Sequence, residues 1–312
     1  MKSTLLAFGL LASSASAKTI LVTPRLISYN IRWAVPVPGI GEPHWNDRRG
    51  KLGAQLNYET AGRPESLVCM QEVVESQLHD VTRSLGDTWT SIGVGRDDGI
   101  ARGEFSPILY RPDTWNLVGN TTYWLSETPE VIGSVGWDAA LPRIVTVGHF
   151  EHVKTGLPLV YMCTHFDHVG QVARREAASL LVRLAEAYAE SASADSDEPT
   201  PVFLGGDLNI TPDNPAFHEM IADGHFSDVR DVVDESRIHG HFKTFTGFSE
   251  RAFEQNTRID HVFVWRADVR DMNILTYGVL ENRFDDGLWL SDHRPVVVDV
   301  EFAVNRTCIS RS

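Results

Sequence analysis

Eight short apolar runs, each about the length of a β-strand, are the feature that most constrains the fold of this chain. They lie at residues 25–31, 66–70, 107–110, 143–150, 157–164, 201–205, 259–265 and 295–304. Several of them are apolar at odd and even positions alike, which is typical of strands covered on both faces. Segments with helical spacing lie between them, at residues 74–86, 172–190 and 214–224. Strands and helices mixed in one chain predict an α/β (α+β) fold.

The first 17 residues have the three parts of a secretory signal peptide. Lys2 supplies the positive charge, residues 5–12 are apolar, and small residues at 15–17 form a cleavage site. This apolar stretch is too short to span a bilayer, and no later stretch predicts a membrane anchor. We therefore expect residues 1–17 to be removed and residues 18–312 to be secreted as a single catalytic domain, which we expect to be a monomer.

The formal net charge of −14 bears on the kind of partner the protein has. Tight binding of duplex nucleic acid needs a broad basic surface, and this charge disfavours one. It does not exclude a few arginines in a cleft, so nucleic acid stays among the candidate substrates.

The three cysteines do not form a disulfide framework. Cys69 and Cys163 both lie in apolar runs, where cysteines are usually buried thiols that pack as small hydrophobic residues. A disulfide between them would require their strands to be neighbours, and the sequence does not decide that. The spacing of the cysteines does not fit a zinc site.

Polar side chains cluster where the apolar runs stop. They are Asn30, Glu72, His165, Asp207, Asn209, Asp260, Asp292 and His293. Strand ends on a rigid sheet are where sites are usually built. Oxygen ligands without thiolates suit a hard cation, Mg²⁺ or alternatively Mn²⁺. Each residue alone is typical of a turn or a cap, but a hard cation beside imidazoles predicts hydrolysis of phosphate esters.

The order of these motifs resembles that of the endonuclease/exonuclease/phosphatase superfamily, which includes deoxyribonuclease I. The motifs are SYNIRW with Asn30, CMQEV with Glu72, CTHFD with His165, GGDLN with Asp207 and Asn209, RIDHVFV with Asp260, and SDHRPV with Asp292 and His293. The resemblance covers nearly the whole of the chain after residue 17. It implies a four-layer sandwich, with two packed mixed β-sheets flanked by helices.

The resemblance also implies which residues hold the metal and the attacking water. Glu72 is the expected main metal ligand, with Asn30 and Asp292 near it. Asp207 is expected to activate the water, and Asn209 to hold the water or the phosphate.

Two histidines are expected to contact the phosphate by the same resemblance. His293 is expected to be oriented by Asp260, and His165 to provide a second contact. His165 stands where apurinic endonucleases carry Tyr, which points to the deoxyribonuclease, phosphatase and deadenylase branches. Whether Asp207 or His293 is the general base stays open.

Four further residues are expected to bind substrate. Arg143 matches the position of a phosphate-contacting arginine in deoxyribonuclease I. The segment 43–52, with Trp45 and Arg48, resembles part of the nocturnin-like deadenylases and of bacterial hydrolases of the superfamily. The segment 93–99, with Arg96, resembles those bacterial hydrolases, which are expected to be the nearest relatives together with the deadenylases.

The predicted function is therefore a secreted, Mg²⁺-dependent hydrolase of phosphate esters on small molecules or flexible single strands. A secreted deoxyribonuclease or ribonuclease is the alternative within the same class. An inactive binding protein on the same scaffold is the alternative from another class, and the complete set of metal, base and imidazole residues disfavours it.

Asn209 also begins an N-glycosylation triplet, NIT. Because Asn209 is expected in the site, where a glycan would block the pocket, we expect no sugar there. In a glycosylating host, Asn120 and Asn305 are the expected acceptors.

Overall fold

The structure is a computed structural model that describes residues 17–191, 199–249, 258–266 and 272–307. The predicted signal peptide lies outside these ranges apart from Ala17, and Cys308 lies outside them too. In the described part of the chain, every helix is too short or too polar to cross a membrane.

The described strands and helices follow the predicted order, with additions. The strands are β1 (Ala17–Val22), β2 (Arg25–Asn30), β3 (Leu67–Gln71), β4 (Thr90–Ile92), β5 (Ile108–Tyr110), β6 (Trp115–Trp124), β7 (Ile144–His152), β8 (Pro158–His165), β9 (Val202–Asp207), β10 (Phe226–Asp228), β11 (Ile238–Gly240), β12 (Asp260–Trp265), β13 (Met272–Val279) and β14 (Val296–Thr307). The helices are α1 (Trp45–Thr60), α2 (Glu75–Leu85), α3 (Gln171–Ser191), α4 (Pro215–Ile221) and α5 (Val229–Val232).

The strands form two mixed sheets. The first sheet has the order β11-β13-β14-β2-β3-β5-β4, with β1 pairing alongside β14. The second has the order β10-β12-β9-β8-β7-β6. In each sheet one central pair is parallel, β2 with β3 and β8 with β9, and antiparallel neighbours flank it. This arrangement places the ends of β2, β3, β8 and β9 where polar residues follow the apolar runs.

Three apolar clusters hold four layers together. The largest fills the space between the sheets, where Leu26 and Val298 of the first sheet share a core with Phe203 and Val262 of the second. A second cluster packs α3 and α4 on the outer face of the second sheet. A third packs α1 and α2 on the outer face of the first sheet. The predicted four-layer sandwich is confirmed.

A disulfide crosses the central core. Cys69 of β3 is bonded to Cys163 of β8, with their Cα atoms 5.3 Å apart. The two strands belong to different sheets, so the bond runs between layers and not between hydrogen-bonded neighbours. Of the two possibilities that the sequence left open for these cysteines, free buried thiols and a disulfide, the structure has the disulfide. The bond joins β3, which Glu72 directly follows, to β8, which ends at His165.

Candidate active site

The site lies where one end of each sheet meets the other. Asp207, at the end of β9, is paired in register with His165 of β8 on one side and with Asp260 of β12 on the other. In the first sheet, Asn30 ends β2 beside the end of β3, so that the Asn30 amide reaches Asp207 across the sheets at 2.9 Å. The sheet pairing therefore brings together residues that are far apart in sequence.

These strand ends surround a cavity of about 670 Å³. Eight of the predicted site residues line it: Glu72, Arg96, Arg143, His165, Asp207, Asn209, Asp292 and His293. Asn30 and Asp260 are fully buried behind the wall and contact the lining residues. Their chemical roles stay predictions.

His293 is held between two carboxylates. Its Nδ1 donates to Asp260 Oδ2 at 2.8 Å, and its Nε2 lies 3.6 Å from Asp207 Oδ2. Burial would lower the pKa of His293, but the carboxylates of Asp260 and Asp207 outweigh it and raise this pKa well above its ordinary value. His293 is therefore an imidazolium whose Nε2–H faces Asp207.

Asp207 is fixed by two neutral donors. Its Oδ2 accepts from the Asn30 amide, and its Oδ1 accepts from the backbone N–H of Asn209 at 2.9 Å. Burial, with the nearby charge of Asp260, raises the pKa of Asp207 to about 7. The carboxylate thus has defined orientation but little compensation for its charge.

His165 is neutral in this arrangement. Its Nε2 accepts from the Asn209 amide at 3.1 Å, which leaves its proton on Nδ1, 3.7 Å from Glu104 Oε2. Burial and the positive charges of Arg143 and Arg96 hold the pKa of His165 well below its ordinary value. The ring therefore presents an N–H, not a charge, to this part of the wall.

The donor set around Glu72 fits a divalent cation. Candidate ligand atoms of Glu72 and Asp207 lie within 4.8 Å of each other and of a ring nitrogen of His293, which as an imidazolium would stand beside the cation without binding it. Burial, with the charge of Glu72 adding to it, raises the pKa of Asp292 to about 6. Carboxylates crowded in this way are what a hard cation relieves, so Glu72 with Asp292 beside it would hold one.

Asn30 contacts two carboxylates of that donor set. Its Oδ1 accepts from the backbone N–H of Arg32 at 2.9 Å, and its Nδ2 donates to both Glu72 and Asp207. In this orientation the Asn30 amide joins the two carboxylates, and its Oδ1 is bonded to the backbone. Its role as a metal ligand stays a prediction.

Three residues of the site adopt left-handed backbone conformations. Arg32, Glu72 and Asn209 have φ values of 56°, 58° and 50°. Asn tolerates this region, whereas Arg and Glu rarely adopt it, so local strain accompanies the exact placement of these side chains.

Several residues that line the cavity were not among the predicted site residues. Glu104 accepts from Arg96 Nη1 at 2.8 Å, and Arg32 Nη1 lies 3.5 Å from Glu72 Oε2. His168 Nδ1 accepts from Arg143 Nη2 at 3.0 Å. Each is a single polar residue in a loop, and the only signal was its proximity in sequence to a motif.

Arg48 and Trp45 lie outside the cavity, so their predicted substrate-binding role is corrected. Arg48 is 1% exposed, and its terminal nitrogens donate to the backbone carbonyls of Ile31, Arg32 and Leu290. Trp45 packs under the Arg48 guanidinium and donates its Nε1–H to Asp80 at 2.9 Å. Both side chains hold the loops around the site, because the terminal nitrogens of Arg48 and the indole N–H of Trp45 are already bonded to protein groups.

The glycosylation triplets also have defined positions. Asn209 lies in the cavity wall, whereas Asn120 on β6 and Asn305 on β14 are exposed. Sugar attachment at either exposed asparagine stays a prediction.

Sequence comparison agrees with this architecture. The profile of the Endonuclease/Exonuclease/phosphatase family matches residues 27–293. The chain belongs to this family. Members of the family hydrolyse phosphate esters, and this chain is accordingly a phosphoesterase.

Two solved structures from Bacteroides thetaiotaomicron are similar over most of both chains. An endonuclease/exonuclease/phosphatase family protein is 30% identical, with a TM-score of 0.78, and the alignment covers 91% of this chain and 97% of the other. A mannosyl-6-phosphatase is 31% identical, with a TM-score of 0.74, and covers 88% and 98% respectively. The expected likeness to bacterial hydrolases is confirmed.

One curated relative is an exoribonuclease subunit. The 3'-5'-exoribonuclease subunit Ccr4 of the CCR4-Not complex of Debaryomyces hansenii is 22% identical over 269 residues, which are 77% of this chain. The chain spans only 30% of the length of that relative.

Proposed function

We propose that this phosphoesterase is secreted, depends on Mg²⁺, and acts on phosphate esters of small molecules or flexible single strands. One observation carries the proposal. Three buried side chains, Asp260, His293 and Asp207, contact one another in that order, and the last of them lies beside Glu72 in a cavity of about 670 Å³. It offers an acceptor for the proton of water, a cation for phosphate and a carboxylate for a metal within one pocket.

Each step of the proposed reaction uses a named atom. Asp207 Oδ2 accepts a proton from the attacking water as the water oxygen bonds to phosphorus, and Asn30 keeps that carboxylate oxygen oriented. The P–O bond to the alcohol breaks in the same displacement, and the departing oxygen takes up a proton from solvent and leaves as the free alcohol. The His293 Nε2–H donates to a phosphate oxygen and stabilises the charge that develops in the transition state. Asp260 keeps His293 in the orientation that this contact needs.

Further groups in the cavity wall would bind the phosphate. Arg143 and His165 Nδ1 have N–H groups without a protein acceptor in this wall, and the Asn209 amide, which donates to His165 Nε2 and to the backbone carbonyl of Phe166, holds the His165 ring in place. A divalent cation held by Glu72 and Asp292 would supply Lewis-acid stabilisation of the phosphate oxygens. In this scheme the residues of the chain position the ester and handle the proton.

Three features support a small substrate. The net charge of −14 opposes tight binding of a polyanion. The catalytic groups lie inside a cavity of the size that takes small molecules. The similar protein from Bacteroides thetaiotaomicron is named a mannosyl-6-phosphatase, and this supports a sugar-sized phosphate monoester.

A nuclease is the second candidate, and the similarity to an exoribonuclease subunit favours it. A panel of p-nitrophenyl phosphate, hexose 6-phosphates, single-stranded RNA and plasmid DNA separates the two. We expect the highest kcat/KM on small esters, and a plasmid or RNA rate that exceeds it would favour the nuclease.

The metal requirement has its own test. EDTA is expected to abolish turnover, and Mg²⁺ or Mn²⁺ to restore it. Mg²⁺ is also expected to raise the melting temperature of the wild-type protein and not that of Glu72→Gln, since a ligand that binds only the folded state stabilises it. Full activity in EDTA would disprove the dependence on metal.

Export is supported by the leader-like residues 1–17 and by the Cys69–Cys163 disulfide, because disulfides persist mainly in oxidising compartments. The intact mass of protein recovered from culture medium is expected to correspond to a chain that starts at Lys18. Recovery only from the cytoplasm, with residues 1–17 retained, would contradict export.

A further inference from the structure

One part of the cavity wall holds more hydrogen-bond donors than the protein can satisfy. Arg96, Arg143 and His165 are 8%, 5% and 6% exposed, and all three line the cavity. Nε of Arg96, Nε and Nη1 of Arg143, and Nδ1 of His165 have no hydrogen-bond partner. Buried donors without acceptors are costly, so such a group of donors indicates a ligand rich in acceptor oxygens.

The neighbouring acceptors are occupied or too distant. Glu104 Oε2 accepts from Arg96 Nη1 at 2.8 Å but lies 3.9 Å from Arg143 Nη1. Asp167 accepts from the backbone N–H groups of residues 140, 169 and 170 and lies 3.6 Å from Arg143 Nε. Arg143 Nη2 donates to His168. The remaining N–H groups of both guanidinium groups are thus left for a bound molecule.

The number of these donors distinguishes two kinds of phosphate ester. A diester has two terminal oxygens and one negative charge, and the Nε2–H of His293 with the unpartnered N–H groups of Arg143 provides donors for both oxygens. A monoester has a third terminal oxygen and close to two negative charges at neutral pH. A second guanidinium beside Arg143 matches that additional oxygen and charge, because charge-assisted bonds from arginine to phosphate are strong.

Building on the proposed phosphoesterase function, we infer that Arg96 and Arg143 together form a terminal-phosphate subsite that makes the enzyme prefer phosphate monoesters to diesters. Arg96 is the residue that determines this specificity. Glu104 holds its Nη1 and thereby points the rest of the guanidinium group along the wall.

The first test compares esters with a matched control. kcat/KM is measured in Mg²⁺ for p-nitrophenyl phosphate and bis-p-nitrophenyl phosphate with wild type, Arg96→Gln and Arg96→Lys. Arg102→Gln is the control, because Arg102 follows Arg96 in the same loop but has a side chain that is 77% exposed and paired with Asp98.

We expect wild type to prefer the monoester. In Arg96→Gln, the monoester kcat/KM is expected to fall about 10- to 100-fold, the loss typical of a hydrogen bond to a charged group. The diester value is expected to fall much less, so the preference shrinks by at least about tenfold. Arg96→Lys keeps the positive charge but not the planar guanidinium group, so its monoester kcat/KM is expected to lie between those of wild type and Arg96→Gln. The values for Arg102→Gln are expected to match wild type.

A second measurement does not depend on turnover of a chosen ester. Inorganic phosphate and dimethyl phosphate serve as competing ligands in inhibition assays and in calorimetric titrations with Mg²⁺ present. Arg96→Gln is expected to weaken the binding of inorganic phosphate by about tenfold or more and that of dimethyl phosphate only slightly. A merely structural role would weaken both alike.

The outcomes separate the subsite from the proposed function. Equal losses for both esters and both inhibitors, or a wild-type preference for the diester, would overturn the subsite. If Arg96→Gln does not fold by circular dichroism, the shift in Arg96→Lys decides. Turnover of neither ester would refute the proposed function, and the calorimetric comparison of inorganic phosphate would then still support or refute the subsite.

Discussion

Two buried groups of charged residues in this molecule have opposite electrostatic character. The cleft cluster consists of Glu72, Asp207, Asp292 and His293. The support cluster consists of Asp228, Arg258 and His261, all of them buried. In the cleft cluster the pKa values of the buried Asp207 and Asp292 are raised, although hydrogen bonds and nearby positive charge lower that of Glu72, whereas in the support cluster the pKa of Asp228 is lowered.

The support cluster compensates its charge at hydrogen-bond distance. Asp228 Oδ2 lies 2.6 Å from Arg258 Nη1 and 2.9 Å from His261 Nδ1, and Oδ1 accepts from the backbone N–H of Arg230. Burial would raise the pKa of Asp228, but the hydrogen bond from His261 and the charges of His261 and Arg258 outweigh it. This ion pair therefore stabilises the fold and leaves no uncompensated charge for a ligand.

The cleft cluster leaves its charge under-compensated. The imidazole nitrogens nearest to Asp207 lie 3.5 and 3.6 Å away, beyond good hydrogen-bond distance. The comparison shows that burial alone does not decide the state of a carboxyl group, because the distance to the compensating charge does. Where a ligand must bind, the protein leaves its charges short of partners.

The support cluster also serves the cleft. His261 Nε2 donates to the backbone carbonyl of Ile210 at 3.0 Å, in the turn that carries Asn209. His261 directly follows Asp260, the partner of His293. The support cluster therefore fixes two approaches to the site without contacting the cavity.

The largest effect is expected from removing charge in the cleft cluster. Asp207→Asn and His293→Gln should each lower kcat by roughly 10²- to 10⁴-fold, the range for positioned acid–base groups. The melting temperature of Asp207→Asn should not fall, because this change removes a buried charge that is poorly compensated, whereas His293→Gln leaves the buried carboxylate of Asp260 without its cation and should melt at a lower temperature. Steady-state kinetics and thermal melts check this, and near-wild-type kcat in either variant would remove that residue from the catalytic set.

Breaking the ion pair of the support cluster should lower stability more than activity. Asp228→Asn leaves Arg258 buried without its carboxylate and should lower the free energy of unfolding by about 3–5 kcal/mol. The kcat of the folded fraction should fall far less than in the cleft variants. Urea unfolding at pH 7, with kinetics below the transition, measures both. A variant as stable as wild type would show that this ion pair contributes nothing net.

The pH dependence of stability follows from the lowered pKa of Asp228. A depressed acid pKa contributes stability that is complete above the unfolded value, about 3.9, and is lost as pH falls through the folded pKa. The stability difference between wild type and Asp228→Asn should therefore be constant from pH 5 to 7 and should shrink below about pH 4. A difference that grows on acidification would contradict the sign.

The disulfide should contribute less to the free energy of unfolding than the support cluster does. The double variant Cys69→Ala/Cys163→Ala should lower the free energy of unfolding by about 2–4 kcal/mol, because it frees a long loop in the unfolded chain. Glu72 and His165 follow these cysteines on facing strands, so KM should rise more than in a surface control such as Arg102→Gln. Unchanged stability in urea would show that packing alone holds the two strands.

The sequence predicts much of the fold because its strands carry continuous apolar runs with abrupt polar ends. β2, β8, β9 and β12 begin and end within about two residues of their predicted bounds for that reason. α1 was missed because it is polar and contains glycines. A Cβ at Gly53 would lie 2.1 Å from Ser84 Oγ, so close packing against α2 requires that glycine.

The site was predictable only in part. Motif residues such as Asp207 and His293 stand at strand ends, and sheet register brings them together. Glu104 and His168 act through contacts formed by loops, which no periodicity describes. Arg48 is the opposite case, a residue that was predicted in the site but lies outside the cavity. The sequence of a loop does not reveal which backbone carbonyls an arginine will reach.

Arg48 also provides the smallest and sharpest test of the comparison, set against Arg143. Both guanidinium groups are buried, but the terminal nitrogens of Arg48 donate to backbone carbonyls, whereas Nε and Nη1 of Arg143 have no hydrogen-bond partner. Arg48→Lys should therefore lower the free energy of unfolding by about 1–3 kcal/mol, as lost buried hydrogen bonds do, and leave KM within about threefold of wild type. Arg143→Lys should raise KM about tenfold or more, with little change in melting temperature, because lysine cannot replace the two-pronged guanidinium group that binds phosphate.

Thermal melts and Michaelis–Menten measurements on p-nitrophenyl phosphate, made on both variants, test this comparison. An Arg48→Lys variant with normal stability and a KM raised tenfold would return Arg48 to the substrate site and contradict the rule that a buried guanidinium whose terminal nitrogens all bond to the backbone is structural.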